Sequence, residues 1–192
     1  MSVSDKKTEL RSKLLTKRSS ISDDDWNLRS LEIIENLKTL KEFQSSSTIH
    51  SFVSMNDRKE VNTHELIKEL LGLNIKVIVP IADFKTGELQ HSILTTFDDL
   101  EPNKWGVLEP LNADSDIDDI DIILVPLLAA DKKFNRLGYG KGFYDRFLKS
   151  TDAIKVGLLF DDFILQKIPV EDFDEKLDIL ITEKKILRRN NR

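Results

Sequence analysis

The chain has 192 residues, 40% hydrophobic and 33% charged, with a formal charge of -5. That is the make-up of an ordinary soluble globule, long enough to bury a core in one domain spanning residues 1–192. A negative balance argues against general nucleic-acid binding, and the absence of cysteine excludes disulfides, thiolate metal sites and a cysteine nucleophile.

The opening MSVSDKKTELRSK is polar and lacks the apolar segment of a leader. No apolar run approaches the roughly 18 residues of a membrane span. The expectation is a cytoplasmic protein that binds neither membrane nor nucleic acid. Residues 5–20 predict a helix on the spacing of Leu10, Leu14 and Leu15, and Ser22 before three aspartates predicts the cap of a second helix running to about Leu40. TIHSFVS (48–54) predicts a strand, THELIKELL (63–71) a helix closed by Gly72, and IKVIVP (75–80) a strand stopping at its proline. That order is a parallel β-α-β unit. Another strand is expected at 89–95. The acidic DSDIDDID (114–121) matches a calcium loop at Asp114, Asp116 and Asp118, yet Asp119 stands where glycine is needed and Val125 where a bidentate glutamate is needed. It reads as a solvated loop. IDIILVPLLA (120–129) has the continuous apolar character of a strand buried on both faces. A short helix at FYDRFLKS and strands at 155–160 and 177–182 complete an α/β three-layer fold, Rossmann-like, with a mostly parallel open sheet flanked by helices. The scattered His50, His64 and His91 argue against a histidine zinc site, and no heptad seam suggests a coiled-coil oligomer, so a monomer is expected.

RLGYGKGFYD (136–145) holds three of the seven glycines beside Arg136, Lys141 and Asp145. Between a buried strand and a helix, such a loop lets backbone approach a ligand at the carboxyl end of a sheet, and its cations favour an anion. It is neither GxxxxGK[ST] nor GxGxxG. Asp145 suits a Mg²⁺ ion shared with phosphate, or else pairs with Arg146 or caps the helix. Lys7, Arg11 and Arg18 fall on one helix face, forming a second cationic cluster or a solvated basic face.

VPLLAADKKFNRLGYGKGFYDRFL (125–148), with KTELR (7–11), SFVSM, EVNTHELI, WGVLEP and LDILIT in order, resembles the 5-formyltetrahydrofolate cyclo-ligase family along essentially the whole chain. The resemblance implies an enzyme, an ATP-dependent carbon-nitrogen ligase of one-carbon metabolism. Its co-substrate is ATP, its metal Mg²⁺, and its partners small molecules. It implies ATP contacts at Lys7, Arg11, Arg136, Leu137, Gly138, Tyr139, Gly140, Lys141, Gly142, Phe143 and Tyr144. Lys141, Arg136 and Tyr144 fall on catalytic positions. Val53 and Glu60 fall on substrate-binding positions together with Tyr139 to Phe143, Asp57 being the alternative to Glu60. Asp145 and Asp178 match the metal-binding carboxylates, while Trp105 either packs on the folate or fills the core. Leu127, Ala130 and Phe134 depart from the family's usual glycine, phenylalanine and glycine, which leaves a non-catalytic folate or nucleotide sensor as the alternative. A sugar-phosphate enzyme would need the same loop without ATP.

Overall fold

A computed structural model describes residues 2–104, 106–114, 117 and 119–190. The helices are α1 (Val3–Ser19), α2 (Asp23–Lys38), α3 (Lys41–Gln44), α4 (His64–Gly72) and α5 (Phe143–Lys149). The strands are β1 (Thr48–His50), β2 (Lys76–Asp83), β3 (Glu88–Leu94), β4 (Leu100–Pro102), β5 (Leu108–Pro110), β6 (Ile122–Val125), β7 (Ala129–Asp131), β8 (Arg136–Leu137), β9 (Ile154–Leu158), β10 (Ile164–Leu165), β11 (Ile179–Ile181) and β12 (Ile186–Arg188). Seven of them form the central sheet in the order β12-β11-β9-β6-β1-β2-β3, parallel from β11 to β2 with an antiparallel strand at each edge. Helices flank this sheet, so the expected mostly parallel α/β architecture is the one observed. Strand order runs one way from β1 to β2 and the other way to β6, which makes the carboxyl ends of β1 and β6 the switch point where open sheets hold ligands.

The local causes are those written in the chain. Ser2 and Asp5 close a capping box at α1, and the Ser22 hydroxyl accepts the Asp25 N–H at the start of α2. Every residue of β6 is fully buried, as a central strand covered on both faces must be. Around it, Ile33, Leu37, Ile49, Leu66, Ile67, Val77 and Leu180 fill the core.

Four expectations are corrected. The strand at 75–80 does not stop at Pro80 but runs to Asp83; β1 pairs only as far as Ile78, and beyond it Pro80 faces a single neighbour, β3, which tolerates a residue without N–H. The apolar run 120–129 is two strands broken at Pro126, with β7 leaving for a small sheet in the order β10-β7-β8. The strand at 179–181 is not last, since the polar segment at 186–188 adds the antiparallel edge β12. A β4-β5 hairpin was not foreseen in LEP and LEP. Trp105, Asp116 and Asp118 lie outside the described residues. Within the acidic segment, Asp114 accepts the Ile93 N–H at 2.7 Å and Asp121 accepts the Ser47 and Thr48 N–H groups at 2.8 and 2.9 Å, so both tie the segment to strands distant in the chain.

Candidate active site

A cavity of about 560 Å³ opens over the carboxyl ends of β1 and β6, where Phe52, Val53 and Pro126 form part of its wall. Its lining mixes apolar side chains such as Pro80, Ala82, Leu89 and Leu108 with five cations (Lys7, Arg11, Arg58, Arg136, Lys141) and four carboxylates (Glu60, Glu109, Asp145, Asp174). The whole stretch from Arg136 to Asp145 contributes, as the loop between β8 and α5.

Glycine is required at two points of that loop. Gly140 has φ of 90°, and a Cβ there would lie 2.8 Å from the Arg11 guanidinium carbon; Gly142 has φ of 70° and would meet Arg146 at 2.8 Å. The loop therefore packs its backbone against arginines. Arg11 Nε donates to the Gly138 carbonyl at 2.9 Å, which ties α1 to the loop. Because α5 has only seven residues, its dipole adds little, and the cations around the loop dominate the attraction for an anion.

Arg136 is buried, and its Nη2 donates to Asp145 Oδ1 at 2.6 Å. Burial pushes the guanidinium pKa down, while Asp145 and Asp174 oppose the shift. Asp145 also accepts the Glu175 N–H at 3.2 Å. Lys7, only 4% exposed, donates to Asp174 at 2.7 Å and to Glu171 at 2.8 Å. These buried cations thus face carboxylates that would have to share them with an incoming anion. Lys141, by contrast, is exposed at the cavity edge, and among the described residues its ammonium makes no ion pair.

In another part of the lining, Glu60 is 4% exposed. Its Oε2 accepts the Met55 N–H at 2.7 Å, and the Tyr139 hydroxyl donates to its Oε1. Burial raises the Glu60 pKa, opposed chiefly by the charge of Arg18. Burial likewise raises the Tyr139 and Tyr144 hydroxyl pKa values, so both phenols stay protonated. The Tyr144 oxygen is buried with no hydrogen-bond partner among the described residues.

A profile of the 5-formyltetrahydrofolate cyclo-ligase family matches residues 3–183. The chain belongs to this family. The mouse 5-formyltetrahydrofolate cyclo-ligase is 28% identical, covering 95% of this chain and 96% of its own. The NMR structure of a 5,10-methenyltetrahydrofolate synthetase from Aquifex aeolicus superposes with a TM-score of 0.84 at 32% identity, over 97% of this chain and 94% of that one. A synthetase of the same name from Mycoplasma pneumoniae gives 0.72 at 26% identity, over 92% and 98%.

Against the cyclo-ligase expectations, the structure brings Lys7, Arg11, Val53, Glu60 and the run from Arg136 to Asp145 to one cavity. It does not bring Asp178. That residue precedes β11 at the amino ends of the parallel strands, opposite the cavity, where its carboxylate accepts the Lys155 N–H at 3.0 Å and pairs with Arg189 at 2.6 Å. Asp174, four residues earlier, lines the cavity instead, and its charge, like that of Asp145, acts on Arg136. Asp57, the alternative to Glu60, does not border the cavity. Three charged cavity residues went unread in the sequence: Asp174, in a turn with no periodic signal, Arg58, next to a left-handed Lys59, and Glu109 in β5.

The basic face of α1 is not solvated, for Lys7 and Arg18 are 4% and 3% exposed and both are hydrogen-bonded. The departures at Leu127, Ala130 and Phe134 are all buried and none borders the cavity. Phe134 does carry the unfavourable φ, at 64°. The buried Asp131 carboxylate offsets it, accepting N–H groups from Lys133, Asn135 and Ile168 at 2.9 to 3.1 Å and so holding the turn into the glycine loop.

Proposed function

We propose that this chain performs the ATP-dependent cyclisation of 5-formyltetrahydrofolate to 5,10-methenyltetrahydrofolate, releasing ADP and phosphate. The observation that supports this most is the single cavity in which a glycine loop ringed by cations adjoins an apolar wall carrying a buried carboxylate. One ligand class explains both halves only if an anionic phosphate chain and a flat, N–H-bearing ring meet there.

The formamide oxygen is a poor leaving group. Transfer of the γ-phosphoryl group from ATP to that oxygen breaks the terminal anhydride bond and releases ADP. Attack by N10 on the activated carbon then forms the new carbon-nitrogen bond, N10 gives up its proton, and the phosphorylated oxygen departs as phosphate when its carbon-oxygen bond breaks. The chain's work is placement and charge stabilisation. Glycine backbone at 138–142 approaches the transferring group, and Arg11 holds that loop against α1. Lys141, exposed and without an ion pair among the described residues, is free to follow the phosphoryl oxygens. Arg136 stabilises the same charge, and the buried Tyr144 hydroxyl supplies a donor with no competing partner among the described residues. Glu60 accepts N–H groups of the ring, and Val53 packs against it.

Asp145 and Asp174 are hard oxygen donors beside the phosphate loop, and no group of three acidic or histidine side chains able to hold a metal occurs among the described residues. Two carboxylates completed by phosphate oxygens are the donor set Mg²⁺ takes in nucleotide enzymes. The residues fit the ion, which would neutralise phosphate charge when bound. A cytoplasmic, monomeric enzyme needing only small-molecule partners accords with this reading; no described helix is long and apolar enough to cross a membrane.

Measurement of ADP release tests the proposal. Release that requires 5-formyltetrahydrofolate and Mg²⁺ is expected; release that is equal without folate, or supported by a phosphosugar in its place, would contradict it.

A further inference from the structure

Arg18 is almost fully buried, yet it does not border the cavity. Its Nη2 donates to the Tyr139 hydroxyl at 2.5 Å, and its guanidinium lies 5.6 Å from the centre of the Tyr139 ring. The Tyr139 hydroxyl in turn donates to Glu60 Oε1. A cation on α1, a phenol in the glycine loop and a carboxylate after β1 thus form one directed chain, with only the last two members facing the ligand.

Two further hydrogen bonds brace the arrangement. The Met55 N–H fixes the second Glu60 oxygen at 2.7 Å, and Trp26 Nε1 donates to the Glu60 carbonyl at 2.5 Å from α2. Arg18 itself is 3% exposed and shares a small apolar pocket with Leu127, Leu128 and Phe163. An ionised carboxylate buried this deeply needs a compensating charge. Arg58, the other cation whose charge reaches it, is exposed and screened, whereas Arg18 is buried.

We propose that Arg18 is a positioning residue for folate recognition, holding the Tyr139 hydroxyl against Glu60 without touching the ligand. This rests on the cavity accepting 5-formyltetrahydrofolate. The charged and titratable groups facing Glu60 are Arg18 from α1, Arg58 from its own loop, and Tyr139 and Tyr144 from the glycine loop and α5. Burial already raises the carboxyl, so loss of Arg18 raises it further. The protonated acid then accumulates at higher pH, and folate binding is lost over a range in which the native protein still binds.

The test compares the native chain with Arg18→Gln, Arg18→Lys and Tyr139→Phe by steady-state kinetics and by calorimetric titration with 5-formyltetrahydrofolate, after thermal denaturation shows each to be folded. Arg18→Gln is expected to raise the KM and the Kd for the folate by about tenfold or more, the effect of losing a charged partner. Its KM for ATP stays within about twofold of native, as for a residue remote from the triphosphate, and the acid limb of kcat/KM moves to higher pH. Arg18→Lys restores part of the affinity, and adding Arg18→Gln to Tyr139→Phe costs less than the two single effects together, because both act through one hydroxyl. Should Arg18→Gln fail to fold, Arg18→Lys and Tyr139→Phe carry the same comparison. An unmoved acid limb with unchanged folate affinity, or equal losses toward ATP and folate, overturns the role. A native chain that does not bind the folate overturns it together with the functional reading.

Discussion

The charge on one loop lysine and the placement of two aspartates carry most of the chemistry. Lys141 is exposed and makes no ion pair among the described residues, so its removal should spare the fold. Lys141→Ala is expected to lower kcat by about a hundredfold, the usual cost of a lost charge-stabilising donor. Thermal denaturation should show a midpoint within about 2 °C of native, as for surface changes generally. The two aspartates separate cleanly. Asp174→Asn should raise the Mg²⁺ concentration for half-maximal activity by about tenfold or more. Asp178→Asn should leave the Mg²⁺ titration unchanged and instead cost about 1–2 kcal/mol of stability in denaturant, because it caps Lys155 and pairs with Arg189. Metal dependence lost in Asp178→Asn and kept in Asp174→Asn would reverse the assignment.

At the scale of elements, two glycines with different surroundings make opposite predictions. At Gly140 the obstacle to a side chain is the movable end of Arg11 together with φ of 90°. Gly140→Ala should therefore keep the fold, displace Arg11 from the Gly138 carbonyl, and raise the KM for ATP by roughly tenfold as that charged hydrogen bond is lost. At Gly157, in β9, a Cβ would stand 2.5 Å from Leu177 and 3.1 Å from Leu180 in the core. Gly157→Ala should cost about 1–3 kcal/mol of stability as overpacking and leave the KM values near native. Equilibrium unfolding and kinetics on both variants check the contrast.

Much of this element level was legible in the chain. The Ser22 cap, a helix within THELIKELL and the run buried around Ile122–Val125 announce themselves through side-chain chemistry and period, whereas α4 runs through the expected stop at Gly72 and the left-handed residue that follows it is Asn74. What escaped depends on neighbours. Pro80 continues a strand only because β1 ends beside it, and β12 is a polar edge whose pairing no local pattern records. Phe134 occupies a left-handed turn because Asp131 gathers the surrounding N–H groups. Among site residues, the glycine loop and its cations were readable from composition. Arg18 was not, since a helix face shows which residues align and not whether Tyr139 will cover them.

For the whole molecule, acid sensitivity follows from its histidines. Burial, with the nearby His91, holds the His50 pKa well below its ordinary 6.5, and burial also lowers His91 and His64. The unfolded chain binds more protons than the native one in this range, so stability rises with pH and is complete above about 6.5. As pH falls below that value, stability declines until the native histidines themselves protonate. Urea midpoints between about pH 7.5 and 5 should fall accordingly, and His50→Gln should flatten the slope. A midpoint independent of pH would show that His50 is not held neutral by the fold.

The same whole-molecule view makes the cavity, shared by α1, the β1 loop, the glycine loop and the 171–175 turn, the centre of the account. The most direct measurement is near-ultraviolet absorbance of the purified chain mixed with 5-formyltetrahydrofolate, Mg²⁺ and ATP, beside a sample without ATP. A steady rise from the methenyl product that depends on ATP is expected. No rise, in a sample shown by calorimetry to bind both folate and nucleotide, would contradict it and identify a ligand sensor in place of an enzyme.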